Sequence, residues 1–406
     1  MNSARPFSAE SRATIQSLRA SRIREVANAG MGRTDVLPFW FGEPDEVTPE
    51  FIREAAKQSL DAGETFYTQN FGLPALRETI AAYSSRLHRP TQASTIALTS
   101  SGVSGLMLTA QLLLNPGDRV VIVTPLWPNL VEIPKILNAE VVTVSLQLNT
   151  KPTHPVWELD LDELLDALTP DTKALLLNSP NNPTGWIISR EQQAIVLAHC
   201  RKHGIWLIAD DVYERLIYDQ PGSAPACAPS FLNLTEVDER VISINSFSKS
   251  WLMTGWRLGW IQAPESLIAD LGKLIEYNTS CAPGFVQTAG IVAIERGEEI
   301  ISRTIARYTL ARNYLYEQLS QPFFREAGVI APFPQGAIYL FFKINGETDT
   351  LALCKQLVAE AGIGLAPGSA FGPEGEGAIR WCFASSLDKL ELGVQRLENF
   401  LKQRVR

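Results

Sequence analysis

The chain has 406 residues, 45% hydrophobic and 20% charged, with a net charge of -8. That length and balance suit a folded globular protein of two domains and exclude a disordered or fibrous chain. Lys and Arg are scattered and outnumbered by Asp and Glu, 36 to 44, so no basic stripe points to nucleic acid or an anionic membrane surface; small molecules are the expected partners.

At the N-terminus, Arg12, Arg19, Arg22 and Arg24 are interspersed with Ser and Ala, as in a transit peptide. Glu10, Glu25 and the lack of an apolar core or cleavage signal argue against export, so the cytoplasm is the expected location. The longest apolar runs, such as 105–114, fall far short of the roughly 18 or more residues a membrane helix requires. Residues 1–46 read as an Arg-rich helix candidate followed by the extended run Phe39-Trp40-Phe41-Gly42-Glu43-Pro44.

From about 95 to 265, short β-branched runs alternate with helical patterns. The candidate strands are 95–99, 119–124, 140–146, 173–178, 205–210, 241–246 and 258–262; amphipathic stretches at 103–114, 160–168 and 190–202 lie between several of them. This pattern predicts an α/β fold with an open, mostly parallel seven-stranded sheet and helices on both faces. Only about a dozen residues separate 246 from 258, barely enough for a crossover helix, so the last strand is expected to be antiparallel and the sheet mixed.

A long helical region at 299–321 leads into a smaller α+β unit with strands at 337–343 and 379–383 and helices at 349–361 and 387–403. The expected division is a large domain over 47–315 and a small domain made of 1–46, the N-terminal arm, together with 316–406. The five cysteines are odd in number and widely spaced, which fits neither a disulfide framework nor a CxxC metal site. His199 and His203 are four apart on one helix with no third ligand nearby, and no metal site is expected.

Ligands of open α/β sheets bind beyond the carboxyl ends of the strands, and five motifs fall there. After the first strand, Thr99-Ser100-Ser101-Gly102-Val103-Ser104-Gly105 forms a small-residue turn into a helix, which is either an anion site or an ordinary capped start. After the second, Trp127 could stack on a flat ring or pack in the core. After the fourth, Asn178-Ser179-Pro180-Asn181-Asn182-Pro183-Thr184-Gly185 makes a stiff, irregular turn that offers the Asn182 amide as a donor.

After the fifth strand comes Asp210-Asp211-Val212-Tyr213, where a carboxylate could hold a pyridine nitrogen protonated or cap a helix. The sixth delivers Ser246-Phe247-Ser248-Lys249, with Gly255-Trp256-Arg257-Leu258-Gly259 just beyond. A lysine becomes a nucleophile toward an aldehyde only when neutral, a state favoured by burial near another cation such as Arg257. The serine hydroxyls and the arginine fork suit phosphate oxygens, and a phosphate-bearing aldehyde is pyridoxal phosphate. Alone, a Ser-x-Ser-Lys run is far more often a serine-capped helix start with a solvated lysine.

Asn-Asn-Pro-Thr-Gly, Asp-x-x-Tyr and Ser-x-Ser-Lys with Gly-x-Arg-x-Gly, in this order and spacing, resemble the class I, fold type I pyridoxal-phosphate aminotransferases of the aspartate aminotransferase superfamily. The resemblance runs from about Gly42 to Arg380. It implies that Lys249 holds pyridoxal 5'-phosphate as an internal aldimine and carries the proton between substrate and cofactor. It further implies that Asp210 pairs with the pyridine nitrogen, Asn182 and Tyr213 bind the ring's O3′, and Trp127 stacks on the ring. The implied phosphate cup is Ser101, Gly102, Val103, Ser246 and Arg257, with Tyr67 reaching in from the neighbouring subunit of a homodimer. Arg380 would hold the substrate α-carboxylate, helped by Asn182 and the backbone of Gly42.

Two departures bear on the substrate. Dicarboxylate-specific members place a lysine where this chain has Val103, or a partner-subunit arginine at about the position of Glu276. An unpaired carboxylate in a dry pocket is costly, so neutral or apolar donors are expected, with Phe39, Trp40, Phe41 and Trp127 as an aromatic wall. The alternative reactions are a carbon-sulfur β-lyase, which uses the same lysine, aspartate and arginine, and a non-catalytic pyridoxal-phosphate-binding regulator. The regulator would need a DNA-binding segment, and only about 40 residues precede Gly42. No GxGxxG follows any predicted strand, which argues against a nicotinamide-dependent dehydrogenase.

Overall fold

A computed structural model describes residues 10–218 and 225–404. The seven predicted strands all form, as β1 (Ile96–Thr99), β2 (Arg119–Thr124), β3 (Glu140–Ser145), β4 (Thr172–Asn178), β5 (Trp206–Asp210), β6 (Val241–Ser246) and β7 (Gly259–Gln262). They make one sheet in the order β1-β7-β6-β5-β4-β2-β3. Strand β7 is antiparallel to both β1 and β6, and the other pairings are parallel, as the short connection before it requires.

The sheet is buried on both faces. Val121, Val123, Leu175, Leu177 and Leu207 enter one hydrophobic cluster, whereas the alternate residues Val120, Ile122, Ala174, Leu176 and Ile208 enter another. This is the two-residue period of strands covered by helices on each side, and it explains why the strands read as continuous apolar runs. Helix Arg190–His203 shows why its ends fall where they do. Ser189 and Gln192 form a reciprocal capping box, and Gly204 ends the helix at φ 70° with three basic residues in the last turn.

A second sheet has four antiparallel strands in the order β8-β9-β11-β10, namely β8 (Val329–Ile330), β9 (Tyr339–Ile344), β10 (Ala366–Pro367) and β11 (Ala378–Cys382). The 22-residue helix Glu298–Leu319 leads into it. The C-terminal helix Leu387–Arg404 forms as expected; the one expected at 349–361 is α-helical over Thr350–Gln356 and then widens to a π turn over Leu357–Ala361. Among the described residues no helix is long and apolar enough to cross a membrane.

The N-terminal region differs from a single Arg-rich helix. It forms two short helices, Ala13–Gln16 and Arg22–Gly30, the second capped by Ser21 accepting from Arg24 N. Only the second has an apolar face to bury, through Ile23, Val26 and Ala27, while Ala13–Gln16 buries nothing. Leu37–Pro38 then pairs with Ile363–Gly364, tying this segment to the C-terminal unit.

Candidate active site

A cavity of about 450 Å³ opens where the carboxyl ends of β4, β5 and β6 meet the second sheet. Gly42, Gly102, Val103, Trp127, Asn182, Asp210, Tyr213, Ser246, Lys249, Arg257 and Arg380 all line it. Of the residues implied to hold cofactor and substrate, Ser101 and Tyr67 do not. Ser101 sits behind the wall, where its hydroxyl accepts from Ser104 N and caps the helix Gly102–Leu113. Tyr67 is 90% exposed on a loop.

Lys249 leaves the end of β6 in a single turn, Phe247–Ser250, started by Ser246 as its cap. Its Nζ donates to the Gly42 carbonyl and lies 5.6 Å from the Tyr213 ring centre. Burial lowers its pKa to about 8, assisted by the Arg380 and Arg257 charges and opposed by Cys382 and Glu43. Burial thus outweighs the neighbouring cation that the sequence pointed to, and Arg380 acts ahead of Arg257.

Asp210 ends β5. Burial and then the charge of Asp211 push its pKa up to about 7, against the Val212 amide and Lys249. Its Oδ1 is buried without a hydrogen-bond partner, an arrangement that costs free energy unless something else occupies the cavity. Asn178, at the end of β4, donates from Nδ2 to the Asp210 carbonyl at 3.0 Å and accepts the Asn182 N–H at 2.8 Å, so one side chain fixes both neighbours.

One side of the cavity is a cradle of small groups. Helix Gly102–Leu113 presents its first turn, where N–H groups lack intrahelical partners. A Cβ at Gly259 would lie 2.6 Å from Gly102 N, so glycine there lets β7 and the turn approach. Ser246 Oγ and Ser248 Oγ are 2.9 Å apart, and Arg257, held at φ 55°, anchors its guanidinium by Nη1 to the Thr254 carbonyl at 2.7 Å.

Arg380 comes from β11 in the second sheet, opposite Phe341 of β9. Its guanidinium donates to Asn182 Oδ1 at 2.8 Å and to the Trp40 carbonyl at 2.5 Å, and Nε is buried without a partner. It lies 4.4 Å from the Tyr339 ring centre and 4.9 Å from that of Phe371. A planar fork between two rings, with donor capacity to spare, is suited to a carboxylate.

The family described as aminotransferase class I and II matches residues 34–397. The chain belongs to this aminotransferase family. It is 34% identical to the aspartate aminotransferase of Pyrococcus abyssi over 95% of this chain and 96% of that protein. It is 31% identical to aromatic-amino-acid aminotransferase 2 of Thermococcus litoralis over 96% and 98%. The crystal structure of aspartate aminotransferase from Thermotoga maritima superposes with a TM-score of 0.85 at 32% identity, covering 97% of this chain and all of that one. The fold is therefore fold type I, and the cofactor of this aminotransferase is pyridoxal 5'-phosphate. The residues present fit that group: an orphaned buried carboxylate oxygen at Asp210, an amine kept partly neutral at Lys249, and the serine, arginine and helix-start cradle beside them.

The aromatic wall needs correction. Phe39 and Trp40 do not line the cavity; they are 3% and 5% exposed and pack into the core, Phe39 lying 5.1 Å from Trp381. The Phe39 amide is tied to the Gly364 carbonyl, and the backbone bends over 40–42 instead of staying extended, so Phe41 does not follow Phe39 into the core and alone of the three reaches the cavity. Sequence reasoning missed Tyr339, Asn178 and Arg24. Tyr339 lay inside a predicted strand, but no motif marked it; Arg24 enters because helix Arg22–Gly30 covers the cavity mouth, with its guanidinium 4.9 Å from the Phe41 ring centre.

Away from the cavity, His88 Nε2 meets Glu214 Oε2 at 2.9 Å, 126 positions apart in sequence, and Cys227 joins them with all three donor atoms within 4.8 Å. Among the described residues this is one group with metal-ligating chemistry, and it is not the His199 and His203 pair.

Proposed function

We propose that this aminotransferase moves the α-amino group of an L-amino acid to a 2-oxo acid in two half-reactions at one site, a ping-pong scheme, and prefers neutral or apolar donors. The observation that carries this reading is the convergence of Lys249, Asp210 and Arg380, from two different sheets, on one cavity. Bound there, pyridoxal phosphate supplies an electrophilic carbonyl carbon and an electron sink for a bond broken at the substrate's α-carbon. Arg380 binds the α-carboxylate and orients that carbon. Lys249 Nζ, neutral in a large fraction of molecules near pH 8, takes the α-proton. Asp210 holds a proton on a buried ring nitrogen, and Asn182 and Tyr213 orient the ring's O3′.

Apolar groups support the donor preference, since Ile23, Phe41, Val103 and Leu106 line the cavity. Glu276 is exposed and supplies no cation, and Arg24, the cation at the mouth, is exposed and stacked on Phe41. The exposed neighbours Phe66 and Tyr67, at 85% and 90%, are the kind of surface a homodimer would cover, in keeping with Tyr67 serving a second subunit's site. We also read the chain as a large domain over 47–315 and a small one from 1–46 with 316–406.

The test is the absorbance spectrum of the holoenzyme with a panel of amino acids. A visible band lost in Lys249→Ala, and bleached by donors without release of ammonia, is expected. Continuous release of pyruvate and ammonia from one amino acid would establish the β-lyase instead, and binding without turnover would establish a regulator. A kcat/KM for aspartate well above those for alanine, leucine and phenylalanine would overturn the donor preference.

A further inference from the structure

A second cavity, of about 470 Å³, lies against the first and shares Ser21, Val103 and Asn129 with it. Two helices form the partition. On Gly102–Leu113, Val103 faces both chambers, Leu106 the first and Met107 the second; on Pro128–Ile136, Asn129 faces both and Val131 the second. Phe371 also lines the second chamber, and its ring is one of the two that hold the Arg380 guanidinium, 4.9 Å away. The second chamber therefore begins beside the group that would anchor the α-carboxylate.

We infer that the second chamber receives the side chain of the amino donor, and that the substrate class is α-amino acids with long apolar side chains. The inference rests on the reading that cofactor and substrate α-carbon occupy the first chamber, which leaves a bulky side chain to pass between Val103 and Asn129. The chamber has the size of a small-molecule site, where about 300–1,000 Å³ is usual. Met107, Leu126, Val131, Ile133 and Phe371 give it an apolar wall. Of its charged residues, Glu132 and Lys135 pair with each other at 2.9 Å, which leaves Arg19 and Arg22 against Glu374. Val103, which takes the place of a lysine found in dicarboxylate-specific relatives, then makes an apolar passage between the chambers.

The experiment measures kcat/KM of the holoenzyme for straight-chain 2-amino acids from alanine to 2-aminodecanoate, in the wild type and in Met107→Trp and Val131→Trp. Ratios to alanine within each protein cancel any loss of folded enzyme. Expected is a rise of roughly fourfold per added methylene, the equivalent of about 0.8 kcal/mol, continuing beyond norleucine. Each tryptophan should cut the 2-aminooctanoate-to-alanine ratio at least tenfold. A profile that is flat or falls beyond norleucine, or ratios unmoved in both variants, would overturn the inference while leaving the transaminase reading intact. A change in oligomeric state in both variants without a change in the ratios would likewise overturn it, assigning the chamber to a subunit contact. Failure of every donor, alanine included, to bleach the cofactor band would overturn the transaminase reading and this inference with it.

Discussion

The hydroxyls of Tyr213 and Tyr339 meet at 2.6 Å, and the Tyr339 ring lies 4.4 Å from the Arg380 guanidinium. One side chain thus touches both the tyrosine assigned to the cofactor and the arginine assigned to the substrate. Gly42 completes the arrangement, since a Cβ there would collide with the Tyr339 hydroxyl while its carbonyl accepts from Lys249.

Tyr339→Phe separates the two contacts, because it removes the hydroxyl and keeps the ring. Losing one hydrogen bond of about 0.5–1.5 kcal/mol should slow the donor half-reaction roughly two- to tenfold. The ring still backs Arg380, so KM for the donor should change little. Rapid-mixing absorbance measures the rate; a rise in KM with an unchanged rate would show that the hydroxyl serves Arg380 and not Tyr213.

Lys249 predicts a pH profile. With its pKa lowered by burial to about 8, roughly one amine in a hundred is neutral at pH 6 and half are neutral at pH 8. Uptake of pyridoxal phosphate by the cofactor-free chain, followed by absorbance, should accelerate from pH 6 to about 8 and level off above. An ordinary lysine would keep accelerating past pH 10. A profile still climbing beyond pH 9.5 would remove burial as the activating factor.

The large sheet was legible because its strands are short, β-branched and buried on both faces, so every strand leaves a run that composition alone reveals. The reversal of β7 was legible too, from loop length. The site residues on strand ends sit in motifs whose backbone demands are visible in sequence, as with the prolines after Asn178. Tyr339 and Arg24 were not legible, because their roles come from packing. Tyr339 reaches the cavity only through the register that sets Phe341 against Arg380, and Arg24 only through the burial of Ile23 and Val26 beneath its helix. The aromatic run at 39–41 misled for the same reason, since which of three consecutive side chains faces a cavity depends on a pairing 320 or more residues away, at Gly364.

Arg24 bears on donor choice. Its guanidinium is exposed over the Phe41 ring at the cavity mouth, where pairing with an acidic side chain would be screened by water. Exposed pairs contribute about 0.2–1 kcal/mol, so Arg24→Met should lower kcat/KM for aspartate and glutamate by no more than about fivefold. The rate with leucine should hold or rise. A loss of a hundredfold for acidic donors would mean that Arg24 closes into the cavity and recognises a second carboxylate there.

His88 predicts stability. Burial disfavours its charge, but hydrogen bonds with Cys227 and Glu214 prevail and raise its pKa to about 11. A histidine whose folded value lies above its ordinary 6.5 contributes stability that is fully present below pH 6.5, declines as pH rises above that and is gone beyond about 11, while the ion pair itself stays formed across the neutral range. The side chains are 3% and 6% exposed, and Glu214 follows Tyr213 in the turn that Asp211 closes by accepting the Glu214 amide at 2.9 Å. His88→Leu strands a buried carboxylate, which should lower unfolding free energy in urea at pH 7 by about 3–5 kcal/mol. Adding Glu214→Gln to that variant should restore a large part of the loss, because the stranded charge is then gone. A loss below about 1 kcal/mol in the single variant would show that Cys227, Asn233 or water takes over from His88, and that the turn carrying Tyr213 does not depend on the pair.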